Sequence, residues 1–553
     1  MRMSRESRLE RIDRRRTAWL ALAACALYAC SAFEGLRIGP SDAGTGSDGP
    51  STGGTGGVGP FNAGTGGVGP FDTGIGDGPS DVGTGGETRT DSSSDGFTVR
   101  DSGDAESDDA DANVDAGAIE VCNNVDDDAD RLVDEGVCVP TQVVGGNDHT
   151  CALLDHAQIK CWGDGSSGQL GLGDDSVRGN GLAEMGKNLP VVDLGTRRTA
   201  IALAADYRHT CALLDHGQVK CWGYNGSGQL GIGDTVDRGN LQGQMGDYLP
   251  PVNLGTGRVA GAIAAGSLHT CALLDSGQVK CWGHGGYGQL GLGDGTSRGG
   301  TAASMGDNLP AINLGTGRTA TAIDAGGAHT CALLDNGQVK CWGKNDFGQL
   351  GLGDTSNRGD NAGEIGDALP AVSLGAGRTA KAIDLGASHT CALLDNGQVK
   401  CWGNNGGGQL GLGDTNHRGD NAGEMGDALP PVSLGSERTA IGIQTGASHT
   451  CALLDNRQVK CWGANFAGPL GLGDREHRGD NSGEMGDDLP AVDLGIAPPL
   501  TAIVAGAFHN CALLGNKVKC WGYNPNGQLG LGDTQNRGDN ADEMGDKLPF
   551  VSF

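Results

Sequence analysis

The sequence predicts an all-β chain, folded as a seven-bladed β-propeller of four-stranded blades and preceded by a disordered tether. Three observations carry this. First, a block of the form HTCALLDNGQVKCWGNNGGGQLGLGD recurs seven times, with His149, His209, His269, His329, His389, His449 and His509 each sixty residues apart. A fixed period of that size marks a unit that buries its apolar face only against its neighbours. Second, each unit holds about four short runs rich in β-formers, among them CALL, VKCW, LPAVSLG and TAKAIDLGA, which is the content of a propeller blade. Third, the first unit begins late, at Val139, without the LPxVxLG segment that precedes this position elsewhere, while LPFVSF occupies residues 548–553. A C-terminal strand completing the first blade would shut the ring and remove its open edges. An open solenoid would need polar capping units, and none is visible.

Within the unit, DNG separates two strand-forming runs, and Gly397 can take the positive φ that a type I turn with a G1 bulge requires. Counting outward from a loop of Asp395, Asn396 and Gly397, Leu394 faces Gln398, Leu393 faces Val399 and Cys391 faces Cys401. The cysteines then fall on a non-hydrogen-bonded pair, where antiparallel strands come closest and a disulfide fits. The last unit has lost one residue and reads CALLGNKVKC; a two-residue turn at Gly515 and Asn516 still sets Cys511 opposite Cys520. Seven disulfides follow: Cys151 with Cys161, Cys211 with Cys221, Cys271 with Cys281, Cys331 with Cys341, Cys391 with Cys401, Cys451 with Cys461 and Cys511 with Cys520. The alternative is reduced core thiols or metal ligands, although zinc ligands usually come as closely spaced pairs with a second pair or histidines nearby.

The motifs HTCALL, GQVKCWG and GQLGLG resemble the signature of the regulator of chromosome condensation repeat family, over residues 139–553. The resemblance implies a seven-bladed propeller. Members do different jobs, including nucleotide exchange on a small GTPase, chromatin binding and secreted inhibition of β-lactamases, so the fold does not select a function. The paired cysteines and the RGDNAGEMGD segment depart from the family pattern.

Upstream of the repeats the chain changes character. Residues 1–30 hold a basic start and a short apolar run, AWLALAACALYAC, which reads as an export signal rather than a spanning helix. Cys25 and Cys30 both offer lipid attachment sites of bacterial lipoprotein type; Cys30 has the better apolar length, and cleavage without lipid is the alternative. Residues 31–121 are rich in Gly, Ser, Thr and Asp, a composition that cannot order a backbone. Such a tether has a reach on the order of 50 Å. In residues 122–138, Asp126, Asp128, Asp130 and Asp134 follow the first, third, fifth and ninth positions of a calcium loop. Arg131 stands where glycine makes the sharp turn and Val137 where a bidentate glutamate belongs, so calcium and a solvated acidic turn both stay open. Cys122 and Cys138 could close this loop.

The formal charge of −29 argues against nucleic acid as a partner, since a phosphate-binding surface needs a basic footprint. Eighteen cysteines in an exported chain indicate an oxidising compartment. The seven histidines could ring the axis as a metal site, but a residue present in every copy is better read as making the same internal hydrogen bond each time. Arg358, Gly359 and Asp360 spell an integrin tripeptide that is better read as a turn or salt bridge within the blade. No lone catalytic set stands out, and the chain is not read as an enzyme.

What varies is the better guide. The four residues after each WG read DGSS, YNGS, HGGY, KNDF, NNGG, ANFA and YNPN. Exposed aromatics, Asn and a few charges on loops at one end of a rigid scaffold have the composition of a recognition face. The candidate binding residues are Tyr224, His284, Tyr287, Lys344, Asp346, Phe347, Asn404, Phe466 and Tyr523, with Tyr207, Arg208 and Phe508 varying beside the histidines. The sequence thus predicts an exported, envelope-tethered protein that binds a protein partner, contacting membrane only through a lipid anchor. A glycan-binding propeller and an enzyme inhibitor are the alternatives.

Overall fold

The computed structural model describes residues 138–553. The signal segment, Cys30, the tether, the acidic loop and Cys122 lie outside the described residues.

Seven three-stranded antiparallel sheets follow one another along the chain. In the fifth, the strands are Ala380–Leu385, His389–Leu394 and Val399–Gly403, in that spatial order. The first strand of every sheet packs on the first strands of the sheets before and after it, and Pro140–Gly145 packs on Leu500–Ala505, so these strands form a closed inner ring. The chain is a seven-bladed propeller.

The hairpin register is the one that the spacing predicts. Cys391 lies opposite Cys401 and Leu393 opposite Val399, while Leu394 N–H donates to Gln398 O at 2.8 Å across a loop in which Gly397 has φ 81°. In the shortened last unit Cys511 faces Cys520 and Leu514 faces Lys517. All seven disulfides between the paired cysteines are present. Two blades place a side chain where this loop needs glycine: Ala157 with φ 64° and the exposed Arg457 with φ 67°. A Cβ in that region is strained, so Arg457→Gly is expected to raise stability by ~0.5–1 kcal/mol, read from the midpoint of a denaturant melt.

Two expectations are corrected. The blades have three strands, because the LPxVxLG segment does not form a ladder. In each blade it makes a single backbone bond to the outer strand, such as Val372 N–H to Val339 O at 2.8 Å. Proline has no N–H to extend the pairing, and the segment is held instead by its buried Leu369, Val372 and Leu374. The C-terminal LPFVSF does not complete the first blade. Val551 N–H donates to Val518 O at 2.8 Å, on the outer strand of the seventh blade, as its equivalents do in their own blades. The ring closes by contact rather than by a shared strand: Ser552 O accepts Gly186 N–H at 3.2 Å, and the Phe553 ring meets Trp162 edge-on at 5.7 Å.

The residues common to every copy build the blade junctions. His329 Nε2 lies 2.9 Å from Thr390 Oγ1 of the next blade, and Thr390 Oγ1 donates to Gln349 O at 2.9 Å. The same Gln349 carbonyl accepts the Trp402 indole N–H at 3.0 Å. Because the hydroxyl proton is spent on the carbonyl, His329 must carry its proton on Nε2, and its buried Nδ1 has no partner. The pattern runs round the ring and closes with His509 Nε2 on Thr150 Oγ1 at 2.9 Å. At the junction of the sixth and seventh blades Asn510 replaces Thr and Pro469 replaces Gln. His449 then meets Asn510 Oδ1 at 3.0 Å, while Asn510 Nδ2 and Trp521 Nε1 both donate to Pro469 O. Only the carbonyl of the Gln position serves the Thr and Trp donors, which is why proline is tolerated there. Each buried lysine, such as Lys400 with Nζ 2.7 Å from Gly426 O, pins the turn that precedes LPxVxLG.

Inner-strand polar groups cap neighbouring inner strands. Asp324 Oδ2 accepts Leu385 N–H at 2.7 Å, and Asp384 Oδ1 accepts Thr445 N–H at 2.7 Å and its hydroxyl at 2.6 Å. Both carboxyls are buried, and burial pushes them well above the usual carboxylate range.

Candidate functional site

The variable loops leave the outer strands at a fixed base. Gly403 and Arg418 exchange backbone hydrogen bonds at 2.8 and 3.2 Å, and the Gly403 φ of 104° sends the chain outward. Arg418 is then held by Asp414 at 2.6 Å, and Arg358 by Asp354 in the same way. The arginine of the RGD triplet is therefore bound inside its own blade.

The four loop positions are not equivalent. The second is structural wherever it is Asn: Asn405 Nδ2 donates to Asp414 O at 2.7 Å and its Oδ1 accepts Leu410 N–H at 2.9 Å. The third position is exposed in every blade, and the first is covered to different degrees. Of the nine candidate binding residues, Phe466 is 74% exposed and Tyr287 39%, and Asp346 is also exposed. Tyr224, His284, Lys344, Phe347, Asn404 and Tyr523 are half-buried.

Four of the candidates form one patch across two blades. Lys344 Nζ pairs with Asp346 at 3.0 Å and lies 5.1 Å from the centre of the Tyr287 ring on the preceding blade. The Tyr287 ring tilts against His284 at 5.8 Å, and His284 Nδ1 accepts Gln289 Nε2–H at 2.9 Å. Burial lowers the His284 pKa, so the ring is neutral in this contact. Phe347 packs edge-on against His417 at 5.0 Å, and Phe466 against His477 at 4.4 Å. Tyr523 packs against Phe508 at 6.2 Å, and burial raises its hydroxyl pKa. Asn404 instead turns to its own loop, accepting Gly406 N–H at 2.8 Å. Arg208 lies 5.5 Å from the Tyr207 ring.

Sequence reasoning missed two features. Tyr248, 81% exposed, stands in a GDYLP turn that the other units fill with small or polar residues. Arg475 holds the Asp539 carboxylate of the next blade through Nε at 3.1 Å and Nη2 at 2.7 Å. The signal for it was in the repeat: the residue after GLGD or GIGD is Asp, Thr, Gly, Thr, Thr, Arg and Thr, so Arg475 is the one cation at that position.

Among the described residues no group of three or more His, Cys, Asp or Glu is placed to hold a metal ion. The seven histidines are committed to the junctions described above. No helix among the described residues is long and apolar enough to cross a membrane.

Comparison with known proteins agrees with this architecture. Residues 123–422 match the RCC1-like domain model, and residues 396–453, 440–468 and 500–528 match models of the regulator of chromosome condensation (RCC1) repeat. The ultraviolet-B receptor UVR8 of Arabidopsis thaliana is 29% identical over 74% of this chain and 83% of its own length. The E3 ubiquitin-protein ligase HERC2 of Homo sapiens is 30% identical over 60% of this chain but only 6% of its own length. The crystal structure of human WBSCR16 superposes with a TM-score of 0.51 at 20% identity, covering 68% of this chain and 87% of that one. With a family model spanning more than half of its length and seven blades of the matching repeat, the chain belongs to the RCC1-like domain family.

Proposed function

We propose that this chain is a binding protein that recognises a protein partner through the variable loops of its propeller, centred on His284, Tyr287, Lys344 and Asp346. The observation that carries the reading is the patch itself. A lysine stacked over a tyrosine of the neighbouring blade and paired with an exposed aspartate offers aromatic, cationic and anionic contacts on adjoining rigid loops. The repeated residues, by contrast, are used up in the junctions. A receptor among the relatives, matched over most of its length, supports a binding role rather than catalysis.

We further propose that the protein is exported and held at the cell envelope by lipid at Cys30, with residues 31–121 as tether. The loop of Asp126, Asp128, Asp130 and Asp134 would hold one calcium ion through carboxylate oxygens.

The test is capture of partners from envelope extract by the propeller and by a variant with Tyr224, Tyr287, Phe347, Phe466 and Tyr523 changed to serine. The reading expects one protein that the variant loses, with single-site changes at two or three blades accounting for the loss. Equal capture by both proteins would overturn it. Small losses spread over every blade would instead indicate a repeated glycan ligand.

A further inference from the structure

The junction of the second and third blades is built with shorter side chains than the others. At the junction of the fourth and fifth blades the Phe347 ring packs edge-on against His417 at 5.0 Å. The repeat sets Ser227, Ser297, Gly300 and Ser304 at the positions of Phe347, His417, Asp420 and Glu424. Between the second and third blades a cleft of about 320 Å³ opens, lined by these four residues with Gly226, Thr235 and Thr301.

Only the part of each side chain that the blade does not need has been removed. His417 Nδ1 accepts Asn405 N–H at 3.0 Å, and Ser297 Oγ accepts the equivalent Gly285 N–H at 3.2 Å. Glu424 Oε2 accepts Gly419 N–H at 2.9 Å, and Ser304 Oγ accepts the equivalent Gly299 N–H at 2.8 Å. The backbone is held as in the other blades, while volume is emptied at one junction.

The lining sets the chemistry of what the cleft can take. No Asp, Glu, Lys, Arg or His lines it, so neither an anion nor a cation meets an opposite charge there. What it offers is hydroxyls. Those of Ser227, Thr235 and Thr301 make no hydrogen bond among the described residues, and Ser297 Oγ keeps its own proton for donation. Ser304 is already committed, donating to Thr301 O at 2.7 Å. Thr235, Ser297 and Thr301 are exposed and so can be reached from solvent. Each hydroxyl both donates and accepts, which matches a ligand that is itself made of hydroxyls. A Cβ on Gly226 would collide with Tyr224 Oη, so the phenol lies against the lining and gives the cleft an aromatic edge. The volume is at the low end of the ~300–1,000 Å³ of ligand pockets and suits one sugar ring rather than a folded segment.

We propose that this cleft is a saccharide site, which seats one neutral pyranose of a glycan on the hydroxyls of Ser227, Thr235, Ser297 and Thr301, with Tyr224 at its edge. The inference goes beyond the protein recognition proposed above. It uses a different junction from Tyr287 and Lys344, and either site can act without the other.

The experiment uses the full chain and saturation-transfer difference NMR with the methyl glycosides of glucose, galactose, mannose and N-acetylglucosamine, beside glucuronate and glucosamine as charged probes. The expected result is a saturable signal from at least one neutral glycoside in the millimolar range, and a weaker one from both charged sugars. Gly300→Asp with Ser304→Glu restores the residues that the fourth, fifth and sixth blades carry and fills the cleft. It should weaken binding by about tenfold or more, with the melting temperature unchanged. Because a Cβ on Gly300 would lie 3.0 Å from Thr235 Cγ2, Ser227→Phe provides a second variant; it places at the cleft the ring that the fourth blade carries at Phe347, and should weaken binding by a similar factor. No signal from any neutral glycoside, equal or stronger binding of a charged sugar, or unchanged affinity in both variants would overturn the inference. So would loss of protein capture in these variants without sugar binding, which would give the cleft to the protein partner. Changing Tyr287, Phe347 and Phe466 to serine tests the loop reading separately, since protein capture then falls while sugar binding stays.

Discussion

Acidification from pH 7 to pH 5 is expected to destabilise this propeller steeply. All seven junction histidines are buried, and burial lowers their pKa to about 4 for His149 and His449 and to about 3 for His209, His269, His329, His389 and His509. In the unfolded chain each titrates near 6.5. Between these values the unfolded state binds more protons, so stability rises with pH. The contribution is complete above about pH 6.5 and is lost as pH falls through the window toward 4. Each histidine contributes at most ~1.4 kcal/mol per pH unit, and seven together ~10 kcal/mol per pH unit. Asp324 and Asp384 act in the opposite sense, because their raised carboxyls take up protons in the folded state first. Two groups offset two of seven, which leaves a slope of up to ~7 kcal/mol per pH unit. Denaturant melts at pH 7, 6 and 5 check this. A flat stability across that range would show that the rings take up protons in the fold as readily as in the unfolded chain.

Trp402→Ala is expected to cost ~3–5 kcal/mol, the range for emptying a fully buried aromatic site. The side chain is completely buried, and its indole N–H holds the Gln349 carbonyl of the preceding blade. Trp402→Phe separates the two contributions. It keeps most of the apolar contact and removes one buried donor, so its cost should be nearer ~1–2 kcal/mol. Thr390 Oγ1 still donates to the same carbonyl, which limits the second loss. Equal costs for Phe and Ala would mean that the hydrogen bond, not the volume, holds the junction.

The hairpin, the disulfides and the seven-fold count were legible because their causes are local. Loop length and glycine set the register, and register sets which cysteines meet. The number of strands per blade was not legible, since LPxVxL alternates like a strand and only its proline hints that it can make one bond. Closure was misread for the same reason: an LPxVxL segment at residues 548–553 looks like a missing partner until its pairing with Val518 is seen. The histidines make the repeated internal hydrogen bond that their presence in every copy suggested, but it reaches the next blade, sixty-one residues away, which no local pattern shows. At the site, exposure of Phe466 followed from its loop position, whereas the patch of Tyr287, Lys344 and Asp346 depends on how adjacent blades are set side by side. Arg475 was visible as an odd residue among seven copies, and only its distance to Asp539 gave it meaning.

The central claim is that function lies in what differs between blades, while what repeats holds them together. The direct measurement is partner capture by a propeller whose seven variable loops all carry the NNGG sequence of residues 404–407. The account predicts an unchanged fold and melting profile, with capture lost. Capture equal to that of the natural chain would contradict it and place recognition on the repeated surface.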